Sequence, residues 1–408
     1  MPRSVVNPSD VVITNCQLIH KEGTLDVLPI VSQIDVYETL KRPCMRGFVD
    51  LVDGTGILAS VDLSGSDFEL EFYSIDENQP TTLKFKIDKV SNASAQGRSK
   101  NYTLDLITPE YFKAISTQVT ENFFDMKPEE MIALILNQYV KTEKSFIYES
   151  TGSVDTVPIT SLNPLQAIDK IRKRTVSGRS KSSSFVFFES QTGFKFITIE
   201  ELYNRGKEDV GDRVFSASPI SKVDERNSDW RNILGYTQVR AQNLAETIAL
   251  GGVKNKVWAF NLETGEYNPY VFDKSADEYN QNEYHLRRDL VNEYNPVDSS
   301  EQAKNTFVVI RNEGDLQRAE KSGKLAGFLP KMLSNMINIH VHGDNLLTAG
   351  EVVDVTIARI DGLTTYREDE MLSGKYILGS VRHIIQRTEG ASRYTCACEL
   401  IKPGFVES

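Results

Sequence analysis

The chain has 408 residues, of which 40% are hydrophobic and 25% are charged, and its formal net charge is −11. This length is more than one compact core usually holds, so it predicts several domains, and the composition is that of an ordinary globular protein. The negative charge argues against a protein that grips nucleic-acid phosphates, because such binding requires clustered Lys and Arg. The sequence has no apolar run of membrane-span length and no signal-peptide pattern at its N-terminus, so we expect the chain to fold in a cytoplasm.

Residues 1–112 predict strands separated by turns. Apolar and polar residues alternate in several stretches of this part, which is typical of half-buried strands. The stretches are 11–20, 28–40, 45–53, 64–75, 82–90 and 101–112. We therefore predict a first small antiparallel β-barrel domain over residues 1–112.

Residues 113–212 change in period and predict an α+β insertion domain. Pro128 with two following Glu is typical of a helix start, and Asn163-Pro164 supplies an N-cap and a first-turn proline for a second helix. The predicted elements are helices at 127–140 and 163–176, a polar and flexible Ser-rich loop at 177–184, a hairpin at 185–198 and a short helix at 199–204.

The rest of the chain returns to strands, with one more interruption. Residues 213–242 and 336–408 predict a second β-barrel domain, which is discontinuous because residues 243–335 form a second insertion domain. Within that insertion we predict a hairpin at 257–272, a polar stretch at 277–296, a strand at 306–311 and a helix at 315–336.

The two β-rich parts resemble each other in the order of their elements, which indicates an internal repeat. Tyr102-Thr103 matches Tyr394-Thr395, and Leu106-Ile107-x-Pro109 matches Leu400-Ile401-x-Pro403, although the second copy is two residues longer between these anchors. The predicted fold class is α+β and mostly β, with two related antiparallel β-barrels and two α+β insertions.

No motif of a catalytic or cofactor-binding site is present. The sequence lacks the nucleophile elbow, the phosphate-binding loop, the zinc-protease helix and the dinucleotide-binding glycine pattern. We therefore predict no catalytic residue and no cofactor.

The sequence contains two groups of residues of the types that bind metals. Cys396 and Cys398 share a strand face but lack the spacing of a zinc site, so we predict that they and the remaining Cys16 and Cys44 are buried apolar residues. His340 and His342 share a strand face and His383 lies in a nearby predicted strand. Apart from Asp344, no Cys, Asp or Glu sits at ligand spacing beside them, and we predict no metal.

One basic cluster stands out in an acidic chain. It comprises Arg172, Lys173, Arg174, Arg179 and Lys181. We interpret it as a solvated helix face and loop, and contact with an acidic partner is the alternative.

The central segment resembles the baseplate hub proteins of contractile-tailed phages. In that family an Asn-Pro helix start precedes a Ser-rich loop, a Phe-rich hairpin and an I-E-x-L helix. The matching residues here are Asn163-Pro164, Ser182–Ser184, Phe185–Glu189, Gly193–Phe196 and Ile199–Leu202. The closing strands are also similar, at His342–Asp344, Gly350, Ser373–Tyr376 and His383.

The resemblance implies a structural virion protein with no enzymatic activity. It implies a homotrimer of duplicated tube domains, whose six barrels match the sixfold tail tube above to a trimeric spike protein below. Further implied partners are other baseplate proteins and the tape measure protein, while DNA only passes through the lumen. The expected location is the baseplate of the virion tail, after synthesis in the bacterial host cytoplasm.

We expect the barrels to dock edge to edge through their strands. The predicted protein-interface residues are Phe85, Ile87, Tyr102, Leu104, Val353, Val355, Tyr376, Leu378 and Tyr394.

Two alternatives remain open. The first is the hub of a related contractile injection system, although a chain that ends at Ser408 just after its last strand favours a separate spike protein. The second is a β-rich carbohydrate-binding or carbohydrate-degrading tail protein, which the presence of only Trp230 and Trp258 makes weaker.

Overall fold

The structure is a computed structural model of the chain. It describes residues 7–402 except 22, 55, 57–62, 75–77, 97–98, 181, 212, 218–229, 241–253, 274–303, 311–314, 317–318, 320–334, 360–367, 370–371 and 389–390. The predicted polar stretch at 277–296 and most of the predicted helix at 315–336 lie outside the described residues.

Strands dominate the first part of the chain, as the alternation predicts. They are β1 (Val12–His20), β2 (Gly23–Asp26), β3 (Val31–Thr39), β4 (Arg46–Asp53), β5 (Asp67–Tyr73), β6 (Thr81–Gln96) and β7 (Ser99–Ile107), with a 3-10 turn at Leu28–Ile30. The short strand β2 was not predicted.

The first insertion contains the predicted helices and hairpin. Its elements are α1 (Pro109–Ile115), β8 (Val119–Met126), α2 (Pro128–Leu134), β9 (Phe146–Tyr148), β10 (Asp155–Leu162), α3 (Pro164–Arg172), β11 (Phe185–Ser190), β12 (Gly193–Thr198) and α4 (Ile199–Gly206). Helix α2 continues as a π-helix over Ile135–Val140. Asn163 caps α3 as predicted, because its side chain accepts a 2.9 Å hydrogen bond from the backbone N–H of Gln166.

The remaining elements are strands. They are β13 (Val214–Ala217), β14 (Ile233–Arg240), β15 (Lys254–Asn261), β16 (Tyr267–Asp273), β17 (Lys304–Ile310), β18 (Asn335–His342), β19 (Val352–Ile357), β20 (Gly374–Thr388) and β21 (Ala391–Lys402). Strands β15 to β17 form a separate three-stranded sheet, so the predicted hairpin and strand of the second insertion are confirmed.

The predicted repeat is visible in the strand order. In the first part the neighbours run β1-β5-β6-β7-β4-β3, and in the second part they run β13-β19-β20-β21-β18-β14. The six strands occupy the same sequential order along the chain in both parts. One pairing differs in direction, because β1 and β5 are antiparallel whereas β13 and β19 are parallel.

The register of the two hairpins repeats as well. A bulge in β6 within Ile87–Lys89 corresponds to a bulge in β20 within Leu378–Ser380, because each directly follows the second residue pair of its hairpin register. This equivalence aligns Leu106-Ile107 with Leu400-Ile401, as the sequence predicted. A bulge repeated at one position indicates a shared local geometry, because bulges bend a strand and reset its pairing.

The match of Tyr102-Thr103 with Tyr394-Thr395 is not supported by the strand register. Counting along β7 and β21 from the shared bulge aligns Tyr102 with Cys396, not with Tyr394. The similarity of the two Tyr-Thr pairs is therefore coincidental. When the two copies are aligned by strand register, the apparent difference of two residues disappears.

The two parts are joined into one body. Strand β3 pairs with β20, which makes a continuous 13-stranded sheet, and one core holds Phe68 and Leu104 of the first part with Tyr376 and Leu400 of the second. Within the described residues neither part closes into a separate barrel. A single isolated bridge, from Ser216 to Asn232, brings the outer strands of the second part together.

A buried charge network holds the first insertion to the sheet. The Glu189 carboxylate, on β11, accepts hydrogen bonds from the Met45 backbone N–H at 3.0 Å and from the Thr108 hydroxyl at 2.7 Å. The Lys144 ammonium contacts Glu189 and lies 2.9 Å from Glu110. Because an unpaired buried carboxylate is costly, this network fixes the insertion against the sheet.

The Ser-rich segment, predicted as a flexible loop, is instead held by buried carboxylates. The hydroxyls of Ser182 and Ser184 both donate to Glu200, and Ser177 donates to Glu149. All five side chains belong to buried residues. The serines are therefore hydrogen-bonding partners for glutamates that would otherwise be unsatisfied in the interior.

Candidate assembly surfaces

The junction between β3 and β20 shows how the two repeats meet. The strands are antiparallel and pair from Ser380 opposite Thr39 to Gln386 opposite Gln33. This junction has continuous main-chain pairing, so the repeats associate as neighbouring strands of one sheet.

Among the described strands β14 pairs only with β18, so it lies at the end of the sheet. Three apolar side chains of this strand are exposed: Leu234 at 44%, Tyr236 at 38% and Val239 at 52%. An edge strand with free hydrogen-bonding groups and exposed apolar side chains is a template for pairing with another strand. Strand β14 is therefore the first candidate assembly surface.

Strand β6 offers a second open edge. Its first half pairs with β5 over Thr81–Lys86, and its second half pairs with β7 alone among the described strands. Ser94, in this second half, is exposed.

The predicted interface residues lie mainly inside the protein. Eight of the nine are at most 1% exposed, and all eight belong to the central core: Phe85, Ile87, Leu104, Val353, Val355, Tyr376, Leu378 and Tyr394. Tyr102 is partly buried against the same core. Because successive strand residues alternate between faces, an interface on these strands has to use their edges or the opposite face.

That opposite face carries paired charges. On β5, β6 and β7, Lys84 lies 3.0 Å from Glu69, Lys86 lies 2.6 Å from Asp67 and Lys89 lies 3.1 Å from Asp105. Opposite charges on neighbouring strands neutralise each other locally, so this face presents mixed polarity and no strong charge of one sign.

The sheet of the second insertion bears a third candidate surface. One face of β15, β16 and β17 carries apolar and aromatic side chains with large exposed fractions: 72% for Phe307, 61% for Tyr267, 60% for Val271 and 45% for Val309. Phe307 is directly opposite Trp258. We call these residues the aromatic face. Exposed aromatic clusters of this kind are typical of protein–protein interfaces.

The three histidines do not converge. His383 pairs with Cys396, which pairs with Val341, so His383 points to the inner face with these buried residues. His340 and His342 are one residue out of phase and point to the other face. Among the described residues no group of three or more His, Cys, Asp or Glu side chains could hold a metal ion.

The inner histidine belongs to a buried hydrogen-bonded cluster. His383 Nδ1 lies 2.7 Å from the Tyr394 hydroxyl, and its Nε2 lies 4.0 Å from a Glu38 carboxylate oxygen. Burial lowers the pKa of His383 to about 4 and raises the pKa of Glu38 to about 7. The imidazole is therefore neutral at pH 7, and the approach to Glu38 is not an ion pair.

The four cysteines are buried, as predicted, and none forms a disulfide. Burial raises the thiol pKa of Cys16 and of Cys396 to about 12, and it raises the pKa of Cys44 and Cys398 as well. Thiols that stay protonated in the interior pack as small apolar groups and are poor nucleophiles.

Three described members of the basic cluster pair with acidic residues of the same chain. Arg172 and Lys173 pair with Asp169, and Arg179 pairs with Glu201. Lys181 lies outside the described residues.

Arg174, in the same cluster, is largely buried and does not belong to a solvated face. It contacts Asp155 at 2.7 Å and Asp315 at 3.0 Å, and its side chain is only 18% exposed. Asp315 is part of the second insertion, so this arginine ties the two insertions together.

No protein-family model and no curated protein matches the sequence. Among solved structures, a tail protein from Neisseria meningitidis MC58 aligns with a TM-score of 0.58 and 11% identity, over 96% of this chain and 97% of that one. The 43 kDa tail protein of prophage MuSo2 from Shewanella oneidensis aligns with a TM-score of 0.59 and 10% identity, over 95% and 98% of the two chains.

The chain shares the fold of these two tail proteins along almost its whole length. None of the described helices combines the length and apolar character that a membrane span requires.

Proposed function

We propose that the protein is a structural baseplate hub of a contractile phage tail, which adapts the sixfold tail tube to a threefold central spike. The observation that carries this proposal is the repeated six-strand order in one chain that has the fold of two tail proteins. We assign the first tube domain to residues 1–112 and the second to residues 213–242 with 336–408.

A duplicated domain gives a physical route between the two symmetries. A closed ring of three chains holds six copies of the repeat, so it can match a sixfold tube on one side. On the other side only the threefold symmetry of the chains themselves is retained, because the two insertions differ in sequence and in fold. A trimeric spike protein can bind there.

The proposed ring also has surfaces for further partners. The aromatic face of the second insertion is the surface that we assign to another baseplate protein, and the tape measure protein is a further candidate partner inside the tube. DNA contacts the hub only in passage through the lumen. The chain would be made in the cytoplasm of the bacterial host and would act in the virion tail, with no enzymatic role.

Electron microscopy of particles tests this proposal. In the phage that encodes the chain, a short peptide tag inserted after Gly265, in the exposed turn between β15 and β16, would be labelled with antibody. The proposal expects label at the distal end of the tail tube, and particles without the protein should lack assembled tails. Label along the sheath or on the fibres would contradict it.

A further inference from the structure

The internal junction between the repeats provides a template for a junction between copies of the chain. In the first repeat β3 is the strand beside β4, and in the second repeat β14 is the strand beside β18. Both strands carry a bulge at the same place, within Val31–Gln33 and within Ile233–Gly235. Strand β14 is therefore the equivalent of β3.

The partner in that junction also has an equivalent. Strand β20 pairs with β19 over Gly374–Ile377 and with β3 over Ser380–Gln386 on the same side. Its equivalent β6 pairs with β5 over Thr81–Lys86, and among the described residues no strand continues along that side. The second half of β6 thus corresponds to the part of β20 that β3 covers.

A side chain on β3 is buried, whereas its equivalent on β14 is exposed. This difference is expected if β14 lacks the neighbouring strand that β3 has. Ile34 on β3 lies directly opposite Ile385 of β20 and is 1% exposed. Its equivalent on β14 is Tyr236, which is 38% exposed. Burying such a side chain stabilises an association in proportion to its apolar area.

We propose that β14 of one copy pairs with the second half of β6 of the next copy, in the antiparallel register that β3 and β20 use within the chain. This inference rests on the trimer proposed above and specifies its contact. The equivalences place Thr237, which corresponds to Asp35, opposite Ser94, which corresponds to Ile384.

The contact is head to tail, because one copy gives β14 and the next gives β6. A heterologous contact of this kind closes into a ring when the rotation permits. With one junction inside each chain and one between chains, three copies contain six junctions of the same strand type. The second copy of the chain is the occupant of the exposed edge.

One ion pair of the internal junction has no equivalent between copies. Inside the chain Arg382 of β20 binds Asp35 of β3, whereas the aligned positions on β6 and β14 are Ser91 and Thr237. The junction between copies therefore lacks this ion pair and depends on main-chain hydrogen bonds and apolar contact.

Disulfide trapping tests the register. The full chain carrying Ser94→Cys and Thr237→Cys is oxidised with copper phenanthroline and run on a non-reducing denaturing gel. Both positions are exposed, so neither substitution disturbs the core. The matched control carries Thr237→Cys with Gln386→Cys, because Gln386 is also exposed but lies on β20, whose edge β3 already covers. The two single variants control for the four native cysteines.

The proposal expects dimer and trimer bands for the Ser94/Thr237 pair and monomer for the control pair, with most chains cross-linked. A trimer by light scattering that gives no cross-link for this pair would overturn the register but leave the proposed hub intact. A chain that stays monomeric at every concentration would contradict both.

Discussion

Arg382 and Asp35 form a two-pronged contact across the junction of the repeats, with Nε 3.2 Å from one carboxylate oxygen and Nη2 3.1 Å from the other. The guanidinium also lies 5.2 Å from the centre of the Tyr37 ring. Two parallel hydrogen bonds to a carboxylate fix geometry better than a single point charge does. This pair therefore favours the register that the main-chain pairing of β3 and β20 sets.

We expect a double-mutant cycle on this pair to give a coupling energy of about 1 kcal/mol, since Arg382 is partly exposed and water screens its charge. The variants are Asp35→Ala, Arg382→Ala and the double variant, and urea unfolding is the measurement. Additive effects of the two substitutions would show that the contact contributes nothing to the junction.

Lys144 should be far more important for stability than an exposed lysine. Replacing it with Met leaves the buried carboxylate of Glu189 without its counter-charge, and we expect a loss of about 3 kcal/mol in the free energy of unfolding. Lys84→Met is the matched control, because Lys84 pairs with Glu69 while 67% of its side chain is exposed. That control should change stability by less than about 1 kcal/mol. Equal effects of the two variants would contradict the role given to the network.

Glu38 should make stability fall as pH rises. Burial raises its pKa from 4.5 to about 7 in the folded chain. Between these two pH values the unfolded chain releases the proton while the folded chain retains it, so the free energy of unfolding decreases as pH rises. The variant Glu38→Gln removes this penalty. His383 does not contribute above pH 6.5, because its pKa is lowered from 6.5 to about 4.

The stability difference between Glu38→Gln and the natural chain should therefore grow in favour of the variant between about pH 5 and pH 8. The expected growth is on the order of 2 kcal/mol. Urea unfolding at four pH values gives the comparison. A difference that stays constant with pH would show that Glu38 is ionised throughout.

The aromatic face should be needed for assembly but not for folding. Phe307→Asp places a charge at a residue that is 72% exposed, so we expect an unchanged unfolding midpoint and a large loss of complete tails in electron micrographs. Thr306→Asp is the control, because Thr306 is exposed on the other side of the same strand. Normal tail assembly by the Phe307 variant would exclude this face as a docking surface.

Local patterns were sufficient to predict most elements. Alternation identified the strands of both repeats, and the Asn163-Pro164 pair identified the start of α3, because caps and strand faces are encoded within a few residues. Alternation does not indicate what covers the apolar face of a strand. In the single chain the predicted interface residues Phe85 and Tyr376 lie in the protein's own core.

Long-range pairing could not be predicted in this way. Val36 of β3 lies opposite His383 of β20, across most of the chain, and no feature of either local sequence indicates the other. The prediction of a flexible loop at the Ser-rich segment was wrong for a related reason. Its composition is typical of a flexible loop, and the glutamates that hold it come from other elements.

The native mass of the purified chain tests the central claim most directly. Light scattering over a range of concentrations should converge on a trimer of about 138 kDa, since one chain has a mass of 45.9 kDa. A mass that stays at 45.9 kDa at all concentrations, or that converges on a dimer, would contradict the hub account.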